Sequence, residues 1–510
     1  MLAKVISAAV NGIDAYVVTV EIDISPGLPT FSIVGLPDAA VKESKDKVVS
    51  AIRNSGFDFP ARRVTVNLAP GDIKKEGVAF DLPIALGILT ATEQLNKEAV
   101  DRICFVGELS LDGIIRPVKG VLPISIGIRN SGFKYFVVPK QNAREASAAR
   151  GAEIIPCENL RGVVDFLQGS VAVKPEDFFE GIEEEVCLGS LQEIDFADIK
   201  GQFFAKRALE VAACGEHNVI MIGPPGSGKT MLAKRIGSIL PPMSVDESLE
   251  TTKIHSVAGF LQKGGELVTQ RVFRSPHHTV SDAALIGGGT YPKPGEVSLA
   301  HNGVLFLDEL PEFHRDVLEV LRQPLEDHCV TIARAKHTLI FPASFMLVAA
   351  MNPCPCGSYG HPEKECLCTP YQIKKYRSKI SGPLMDRIDI HLEVPALKIS
   401  ELSADECIAE TSATVRKRVQ SARGRQRERF AGTGIRSNSR MNSRQVRKFC
   451  AINKESKELI AGAVKKLGLS ARAYDKILKV SRTIADLENS ENIETEHVAE
   501  AVNYRSMDRF

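Results

Sequence analysis

The residues with the clearest chemical meaning form a single phosphate-binding pattern. Its members are Gly223, Pro224, Pro225, Gly226, Ser227, Gly228, Lys229 and Thr230. The pattern fits G-x-x-x-x-G-K-S/T, and it lies between an apolar stretch that favours a strand and a segment that favours a helix. Glycine lets the backbone wrap closely around an anion, and the N–H groups at a helix N-terminus point at phosphates. We therefore predict that Lys229 reaches the outer phosphates of a nucleotide and that Thr230 ligates Mg²⁺. A glycine-rich turn with a surface lysine is the alternative.

Two carboxylates predict the hydrolytic half of the same site. Asp308 and Glu309 come directly after 304–307, whose uninterrupted apolar character is typical of a strand buried on both faces. Ligands of such sheets collect at the carboxyl ends of the strands. We expect Asp308 to hold Mg²⁺ through water and Glu309 to polarise the water that attacks the γ-phosphate of ATP. A strand followed by an acidic helix cap is the alternative, so the prediction of ATP and Mg²⁺ rests on both motifs together.

The composition limits the classes of protein that need to be considered. The chain has 510 residues, of which 44% are hydrophobic and 25% charged, and this is typical of about three ordinary globular domains. Its net charge is only +1, so any contact with nucleic acid must come from local patches. No apolar run approaches the ~18 residues that a membrane-spanning helix needs. Most of the cysteines are scattered, which favours a reducing cytoplasm.

Shifts in composition divide the chain into four predicted segments. They are residues 1–170, an acidic linker at 171–190, a nucleotide-binding core at 191–395, and a helical, basic segment at 396–510. Within the first segment, apolar periodicity predicts an amphipathic helix and three strands. The helix is predicted at 39–54 and the strands at 17–22, 63–68 and 133–139.

Several further segments resemble the AAA+ superfamily and, more narrowly, its magnesium-chelatase-like branch. Residues 195–202 are similar to the segment that closes over adenine, and Asn352 follows a run similar to the fourth core strand. The resemblance implies an α/β fold in which a P-loop domain with a parallel sheet carries a helical lid. It also implies that Asn352 is sensor 1, since an amide there can orient water and touch the γ-phosphate.

The same resemblance assigns roles to two arginines. Arg387 lies in a segment similar to the arginine finger, which a neighbouring subunit supplies to stabilise transition-state charge. This implies a ring, which we expect to be a hexamer. An ion pair with Asp386 or Asp389 is the alternative for Arg387. Arg472 opens a helix similar to the family's lid and is predicted to be sensor 2, with Arg482 as the second choice.

Two insertions refine the branch. Residues 254–300 resemble the long insertion in helix 2 of chelatase-type ATPases. Residues 329–342 alternate apolar and polar residues about a short turn, which predicts a hairpin where related ring motors carry a pore loop. Arg334, Lys336 and His337 near its tip could meet phosphates, or they could be protective charge on a solvated edge.

Adjacent histidines at 277 and 278 raise the question of a metal site. On an extended strand, neighbouring side chains point to opposite faces, so His277 and His278 are not expected to share one ion. We predict polar contacts within a loop instead.

The first segment resembles a protease domain without protease chemistry. Residues 107–113 and 121–124 are similar to the proteolytic, ribosomal S5 domain 2-like α+β domain of Lon-type proteases. Such domains need a serine activated by a lysine. The matching turn at 76–81 has no serine, and no lysine follows 121–123 where its partner would stand. Further segments resemble the bacterial ComM/YifB family, namely 27–31, 35–38 and 67–70.

Four clustered cysteines predict a metal site. They are Cys354, Cys356, Cys366 and Cys368. Four thiolates could hold one Zn²⁺ tetrahedrally, and since the cluster follows Asn352 directly, zinc would brace a catalytic loop. His361 is a substitute ligand, and free thiols or a redox pair are the alternatives.

A cluster of basic residues within 416–440 predicts contacts with nucleic acid. It comprises Arg416, Lys417, Arg418, Arg423, Arg425, Arg427, Arg429, Arg436 and Arg440, against a single acid, Glu428. Such density suits salt-sensitive binding to phosphates, whereas a solvated helix face or pairing between subunits is the alternative.

The sequence is compatible with three alternative functions. The ComM/YifB resemblance implies a hexameric motor with ATP-driven helicase and branch-migration activity on single-stranded or branched DNA taken up by bacteria in natural transformation. A chelatase-like subunit that drives metal insertion into a porphyrin is the second, and the fused protease-like domain and the cysteine cluster argue against it. A protein remodeller that uses the first segment as an adaptor is the third.

Overall fold

The computed structural model describes residues 1–72, 75, 77–170, 194–261, 266–289, 292–334, 337–361, 363–396, 410–468 and 470–505. The predicted acidic linker at 171–190 therefore lies outside the described residues. By its internal contacts the chain divides into two compact units. The first comprises Met1–Leu188, Ser244–Thr269 and Ala333–Phe341, and the second comprises Gly189–Met243, Gln270–Ile332 and Pro342–Phe510.

The first unit is built around one mixed sheet. Its strands are β1 (Leu2–Asn11), β2 (Asp14–Ser25), β3 (Thr30–Val34), β4 (Arg63–Ala69), β5 (Ile103–Phe105), β6 (Glu108–Leu109), β7 (Ile115–Arg116), β8 (Tyr135–Pro139) and β9 (Glu153–Cys157). Seven of them form a sheet in the order β3-β4-β2-β1-β5-β8-β9, with β1–β2 and β2–β4 antiparallel and the remaining pairs parallel. The strands predicted at 17–22 and 63–68 are confirmed, and the third begins at Tyr135, two residues later than predicted.

Helices cover this sheet and complete an α+β fold. They are α1 (Ala39–Asn54), α2 (Asp81–Ala91), α3 (Val121–Asn130), α4 (Ala143–Ser147) and α5 (Leu160–Leu167). The bounds of α1 match the prediction, and its start is fixed by Asp38, whose side chain accepts a hydrogen bond from the Val41 N–H. All the residues of α2 are buried, as expected of an apolar helix that lies against β1 and β2.

The second unit contains a parallel sheet, as predicted. Its strands are β10 (Val219–Ile222), β11 (Phe273–Arg274), β14 (Val304–Leu307), β17 (Met346–Met351) and β18 (Ile390–Glu393), in the order β11-β14-β17-β10-β18. All four neighbouring pairs run parallel. Every residue of β10, β14 and β17 is buried, because helices cover both faces. The first strand in chain order thus lies beside the fourth and fifth, so the loops after β10, β14 and β17 meet at one edge of the sheet.

Besides short 3₁₀ turns, the remaining elements in the described parts of the chain are helices and short hairpins. The helices are α6 (Phe203–Gly215), α7 (Lys229–Ile239), α8 (Val245–Ala258), α9 (Asp282–Ile286), α10 (Glu296–Leu299), α11 (Arg315–Glu319), α12 (Arg322–Asp327), α13 (Pro370–Arg377), α14 (Gly382–Met385), α15 (Ser412–Arg429), α16 (Ser443–Phe449), α17 (Lys454–Leu467), α18 (Ala471–Leu487) and α19 (Thr495–Asn503). The paired strands are β12 (Gly287–Gly288) with β13 (Lys293–Pro294), and β15 (Cys329–Arg334) with β16 (His337–Pro342). The hairpin predicted at 329–342 is confirmed.

The C-terminal helices form the lid of the parallel sheet's domain. Val419 of α15 and Ile477 and Ile484 of α18 are fully or almost fully buried, and they belong to the same apolar core as Leu209 of α6 and Val348 of β17. Because this core is continuous, the lid helices pack directly on the domain of the parallel sheet. Within the described ranges, no helix is both long and apolar enough to cross a membrane.

Candidate nucleotide-binding site

The phosphate-binding loop has a backbone conformation that requires glycine at three positions. Gly226 and Gly228 adopt φ values of +78° and +88°, in the left-handed region that favours glycine. Gly223 is required for space, since a Cβ atom there would lie 2.1 Å from the backbone oxygen of Val394. The loop therefore closes tightly onto the end of β18 and opens into the N-terminus of α7, as the sequence predicts.

Lys229 lies inside this loop. Its side-chain Nζ donates hydrogen bonds to the backbone oxygens of Gly223 (2.7 Å) and Pro224 (2.9 Å) and to Asn352 Oδ1 (3.3 Å). Burial lowers the pKa of Lys229, and the nearby Asp308 carboxylate opposes that shift. The ammonium group is thus already at the centre of the loop, where a phosphate would offer stronger, charged acceptors than these neutral oxygens.

Thr230 and Asp308 lie together at the same edge. The Thr230 hydroxyl donates to Asp308 Oδ2 at 2.7 Å, and Asp308 Oδ1 accepts from the Glu309 N–H at 2.9 Å. A hydroxyl and a carboxylate in direct contact are hard oxygen ligands of the kind that Mg²⁺ prefers together with water and phosphate. The residues present therefore fit the metal that the sequence predicts for this position.

Glu309 projects from the loop after β14 with a partner that the sequence did not predict. Its backbone φ is +52°, and its carboxylate lies 3.6 Å from Nδ1 of His278. The prediction that His277 and His278 point to opposite faces is wrong, because β11 ends at Arg274 and the two rings lie 4.0 Å apart. The predicted loop contact is present, since His277 Nδ1 is 2.9 Å from the Thr279 hydroxyl.

Asn352 follows β17, the fourth strand of the sheet in chain order, and its contact with Lys229 places it beside the phosphate-binding loop. The segment after it is braced from α13, since Arg377 Nε donates to the backbone oxygen of Pro353 at 3.0 Å. The Arg377 guanidinium also lies over the ring of Tyr359, 5.3 Å from its centroid.

The four clustered cysteines converge on one point. Their Sγ atoms all lie within 4.8 Å of one another. The individual separations are 3.4 Å for Cys354–Cys356, 3.7 Å for Cys354–Cys366 and 3.6 Å for Cys356–Cys366. Four sulfurs at about 2.3 Å from a central Zn²⁺ would be about 3.8 Å apart, so the donor set fits tetrahedral zinc. His361 is not needed as a substitute, and its Nδ1 already accepts from the Glu363 and Lys364 N–H groups at 3.0 and 3.2 Å.

The turn that follows Cys356 lies against the phosphate-binding loop. Gly357, in the turn after Cys356, has φ +80°, and a Cβ atom there would lie 2.6 Å from Pro225 Cδ. Cys354 is fully buried two residues after Asn352. The cluster is therefore placed to fix two parts of the site at once, a connection that the sequence indicated only for Asn352.

Arg387 and Arg472 lie at the opposite edge of the sheet. The backbone oxygen of Arg387 accepts from Asn218 Nδ2 at 3.2 Å, and Asn218 immediately precedes β10. The phosphate-binding loop begins where β10 ends, so the length of that strand, about 13 Å, separates the two positions. Arg387 Nη2 is 2.7 Å from Glu326 Oε1, and Arg472 Nη2 is 3.6 Å from the same oxygen. The predicted alternative partners of Arg387, Asp386 and Asp389, are not the ones with which its guanidinium pairs.

Arg482, the second choice for sensor 2, is buried and forms hydrogen bonds within its own chain. Its side chain is 5% exposed and donates to Asp486 Oδ1 and to the backbone oxygens of Ser490 and Glu491. Arg472, in contrast, lies in the first turn of α18, and its side chain is 60% exposed. Of the two candidates, Arg472 is therefore the one whose guanidinium can reach a ligand.

Most of the basic cluster at 416–440 is used inside the chain. Arg416 donates to Ser238, Arg418 pairs with Glu210 and Glu410, Arg423 and Arg440 share Glu216, and Arg425 and Arg429 bond to Asp486. These contacts fix α15 to α6, α7 and α18, so charge density alone overstated the surface available to nucleic acid. The side chains of Lys417, Arg427 and Arg436 are exposed, although Arg436 also has an interaction within the chain.

The predicted hairpin tip and the turn at 76–81 each lie partly outside the described residues. The hairpin of β15 and β16 is present, but Lys336 and the side chains of Arg334 and His337 lie outside what the structure describes. Glu76, in the turn that resembles the protease nucleophile turn, also lies outside the described residues. Asp81 at the end of that turn is buried and accepts from the Leu109 N–H at 3.1 Å, and burial raises the pKa of its carboxyl to about 6.

The structure thus brings together the phosphate-binding loop, Asp308, Glu309 and Asn352, and it separates Arg387 and Arg472 from them. Three contributors were missed by sequence reasoning, namely His278 beside Glu309, Gly357 beside Pro225, and Glu326 between the two arginines. Gly357 alone carried a usable signal, since glycine in a cysteine-rich turn indicates a close backbone approach.

Family models match almost the whole chain. The model described as magnesium chelatase, subunit ChlI, matches residues 195–402, the one described as subunit ChlI of Mg-chelatase matches 20–142, and the C-terminal ChlI model matches 409–505. Among curated proteins, the chain is similar to competence protein ComM of Haemophilus influenzae, with 46% identity over 100% of this chain and 98% of that protein.

Two further relatives extend this comparison. An uncharacterised protein named YifB of Escherichia coli is 44% identical over 100% of this chain and 98% of its own length. Lon protease 2 of Bacillus subtilis is 33% identical over 28% of this chain and 27% of that protease.

Proposed function

This chain belongs to the ComM/YifB family of magnesium-chelatase-like AAA+ proteins, and from that premise we propose that it hydrolyses ATP between the subunits of a ring and uses the free energy to move DNA. Lys229 and Thr230 bind the outer phosphates and Mg²⁺, Asp308 holds the metal through water, and Glu309 polarises the attacking water. Asn352 orients that water. The ring is a homo-oligomer, which we propose to be a hexamer.

The separation of Arg387 from the phosphate-binding loop carries this proposal. The Arg387 backbone contacts Asn218 at the N-terminal end of β10, and Arg387, Arg472 and Asn218 line one cavity. The phosphates would bind beyond the C-terminal end of β10, about 13 Å away. An arginine at that edge cannot reach the nucleotide of its own subunit. It can reach a nucleotide presented by a neighbour, as arginine fingers do in related phosphoryl-transfer enzymes. We therefore propose that Arg387 and Arg472 both serve the neighbouring subunit's ATP.

The proposal that the moved substrate is DNA rests on separate observations. The relative from Haemophilus influenzae is named a competence protein, and the chain matches it over its full length. The hairpin of β15 and β16 leads directly into the sensor strand β17, so a ligand held by the hairpin could respond to the nucleotide. Lys417 and Arg427 are exposed on the lid, where they could contact phosphates.

The test is the effect of DNA on ATP hydrolysis. Single-stranded, forked and four-way DNA are each expected to raise turnover several-fold at low salt, with the stimulation falling steeply as salt rises, because phosphate contacts release counterions. A branch-migration assay with Lys229→Ala protein as the inactive control measures movement itself. Turnover that no DNA changes at any salt concentration would contradict the DNA proposal and would favour a chelatase-like or protein-remodelling ATPase.

We also propose that Cys354, Cys356, Cys366 and Cys368 bind Zn²⁺. Freshly purified, reduced protein is expected to contain about one zinc per chain, and Cys366→Ser protein close to none, because structural zinc needs all four ligands. Cys329→Ser, which removes a thiol outside the cluster, is the matched control and should retain the metal. Elemental analysis and native mass spectrometry measure the content. Metal-free wild-type protein with intact thiols would remove this proposal.

A further inference from the structure

One carboxylate contacts both arginines that we assign to the neighbouring subunit's nucleotide. Glu326, in the last turn of α12, places Oε1 2.7 Å from Arg387 Nη2 and 3.6 Å from Arg472 Nη2. The two arginines come from different parts of the chain, one from the loop after α14 and the other from the start of lid helix α18. Glu326 therefore brings together one guanidinium group from the core and one from the lid.

Arg387 is held in place within its own chain, but one of its donors lacks an acceptor in the described part of that chain. The Arg387 side chain is 12% exposed, and its Nη1 donates to the backbone oxygen of Pro383 at 2.7 Å. Its Nε is buried and has no acceptor among the described residues. A buried donor without a partner is costly, and it is explained if an acceptor arrives from outside the chain.

The negative charge of Glu326 offsets the repulsion between the Arg387 and Arg472 guanidinium groups. Two guanidinium groups that approach the same point repel each other, and a carboxylate between them offsets that repulsion. One negative charge for two cations still leaves the group with a net positive charge, which suits an incoming phosphate. Without Glu326, Arg472 is exposed enough to turn away into water, and Arg387 would lose its only charged partner among the described residues.

We propose that Glu326 is a positioning residue that holds Arg387 and Arg472 as a pair until the outer phosphate of a neighbouring subunit's ATP takes its place. This inference rests on the proposed function, because it requires both arginines to act on that nucleotide. Glu326 touches neither the phosphates nor the attacking water, and its effect on hydrolysis passes through the two arginines.

Glu326→Gln keeps the shape of the side chain and removes its charge. We expect kcat for ATP to fall about 10- to 100-fold, since small misplacements of catalytic groups have effects of that size. KM for ATP should change less than about twofold, because each subunit's own phosphate-binding loop is intact. Glu319→Gln is the matched control, since that carboxylate pairs with Arg322 on the adjacent helical segment and should leave kcat unchanged. Thermal melting checks that the variants fold, and Glu326→Asp, which is too short to span both contacts, replaces the glutamine variant if it does not.

A second measurement separates positioning from a general structural role. Mixed with Glu309→Gln subunits, whose arginine pair is intact, Glu326→Gln subunits should regain turnover, because their own nucleotide pockets then receive a complete pair. Wild-type kcat in Glu326→Gln protein, with Arg387→Ala protein inactive, would overturn this inference alone. Full activity in Arg387→Ala protein would instead overturn the proposed function on which it rests.

Discussion

Replacing Lys229 with alanine is expected to lower the rate of ATP hydrolysis by about three orders of magnitude, the scale at which removing a preorganised charge from a transition state is felt. Lys229 is 8% exposed and is held at the centre of its loop by two backbone oxygens and Asn352. A γ-phosphate entering the loop would exchange those neutral acceptors for charged ones, and alanine offers nothing in their place. Steady-state phosphate release measures the loss.

The matched control is Lys234→Ala. Lys234 lies on the same helix, α7, but its side chain is exposed, so its removal should leave turnover within about twofold of wild type. A binding measurement with a fluorescent ATP analogue then distinguishes failed chemistry from failed binding. Lys229→Ala protein that still hydrolyses ATP at the wild-type rate would show that the phosphate-binding loop has been assigned wrongly.

The parts of the site that sequence could predict are those encoded in contiguous residues. A buried strand, a glycine loop and a helix are local features, and the parallel sheet then brings the loop after β10 to the same edge as Asp308 and Asn352 without further information. The bounds of α1 were predictable for the same reason, since its apolar period and its cap are both local.

What sequence could not predict are contacts that depend on how distant elements pack. Glu326 lies in a short acidic helix end that has no motif, and its importance appears only when α14 and α18 bring an arginine each to it. The basic cluster shows the converse. Arg423 and Arg440 look like nucleic-acid ligands in the sequence, but in the fold they hold the pKa of the mostly buried Glu216 carboxyl well below its usual range. Charge density in sequence does not distinguish a phosphate contact from an internal ion pair.

Arg387 also forms an internal ion pair. This pair is compatible with a catalytic role only if the arginine acts on the ATP of a neighbouring subunit. The pair with Glu326 lies at the edge of the sheet opposite to the subunit's own phosphate-binding loop. Arg387→Ala protein is therefore expected to bind ATP with near wild-type affinity and to hydrolyse it about 10³-fold more slowly, as removal of an arginine finger does elsewhere.

Mixing two inactive proteins tests the location of that defect. Arg387→Ala subunits have intact pockets and lack the proposed finger. Glu309→Gln subunits keep that finger and lack the carboxylate that we propose to activate water. In an equimolar mixture that exchanges subunits freely, about a quarter of the interfaces combine an intact pocket with an intact finger, so about a quarter of wild-type turnover should return. A mixture of Lys229→Ala with Glu309→Gln places both defects in the pocket and should return none. If the first mixture stays as inactive as the second, or if Arg387→Ala protein retains full turnover, ATP is not hydrolysed between subunits in the way that these distances indicate.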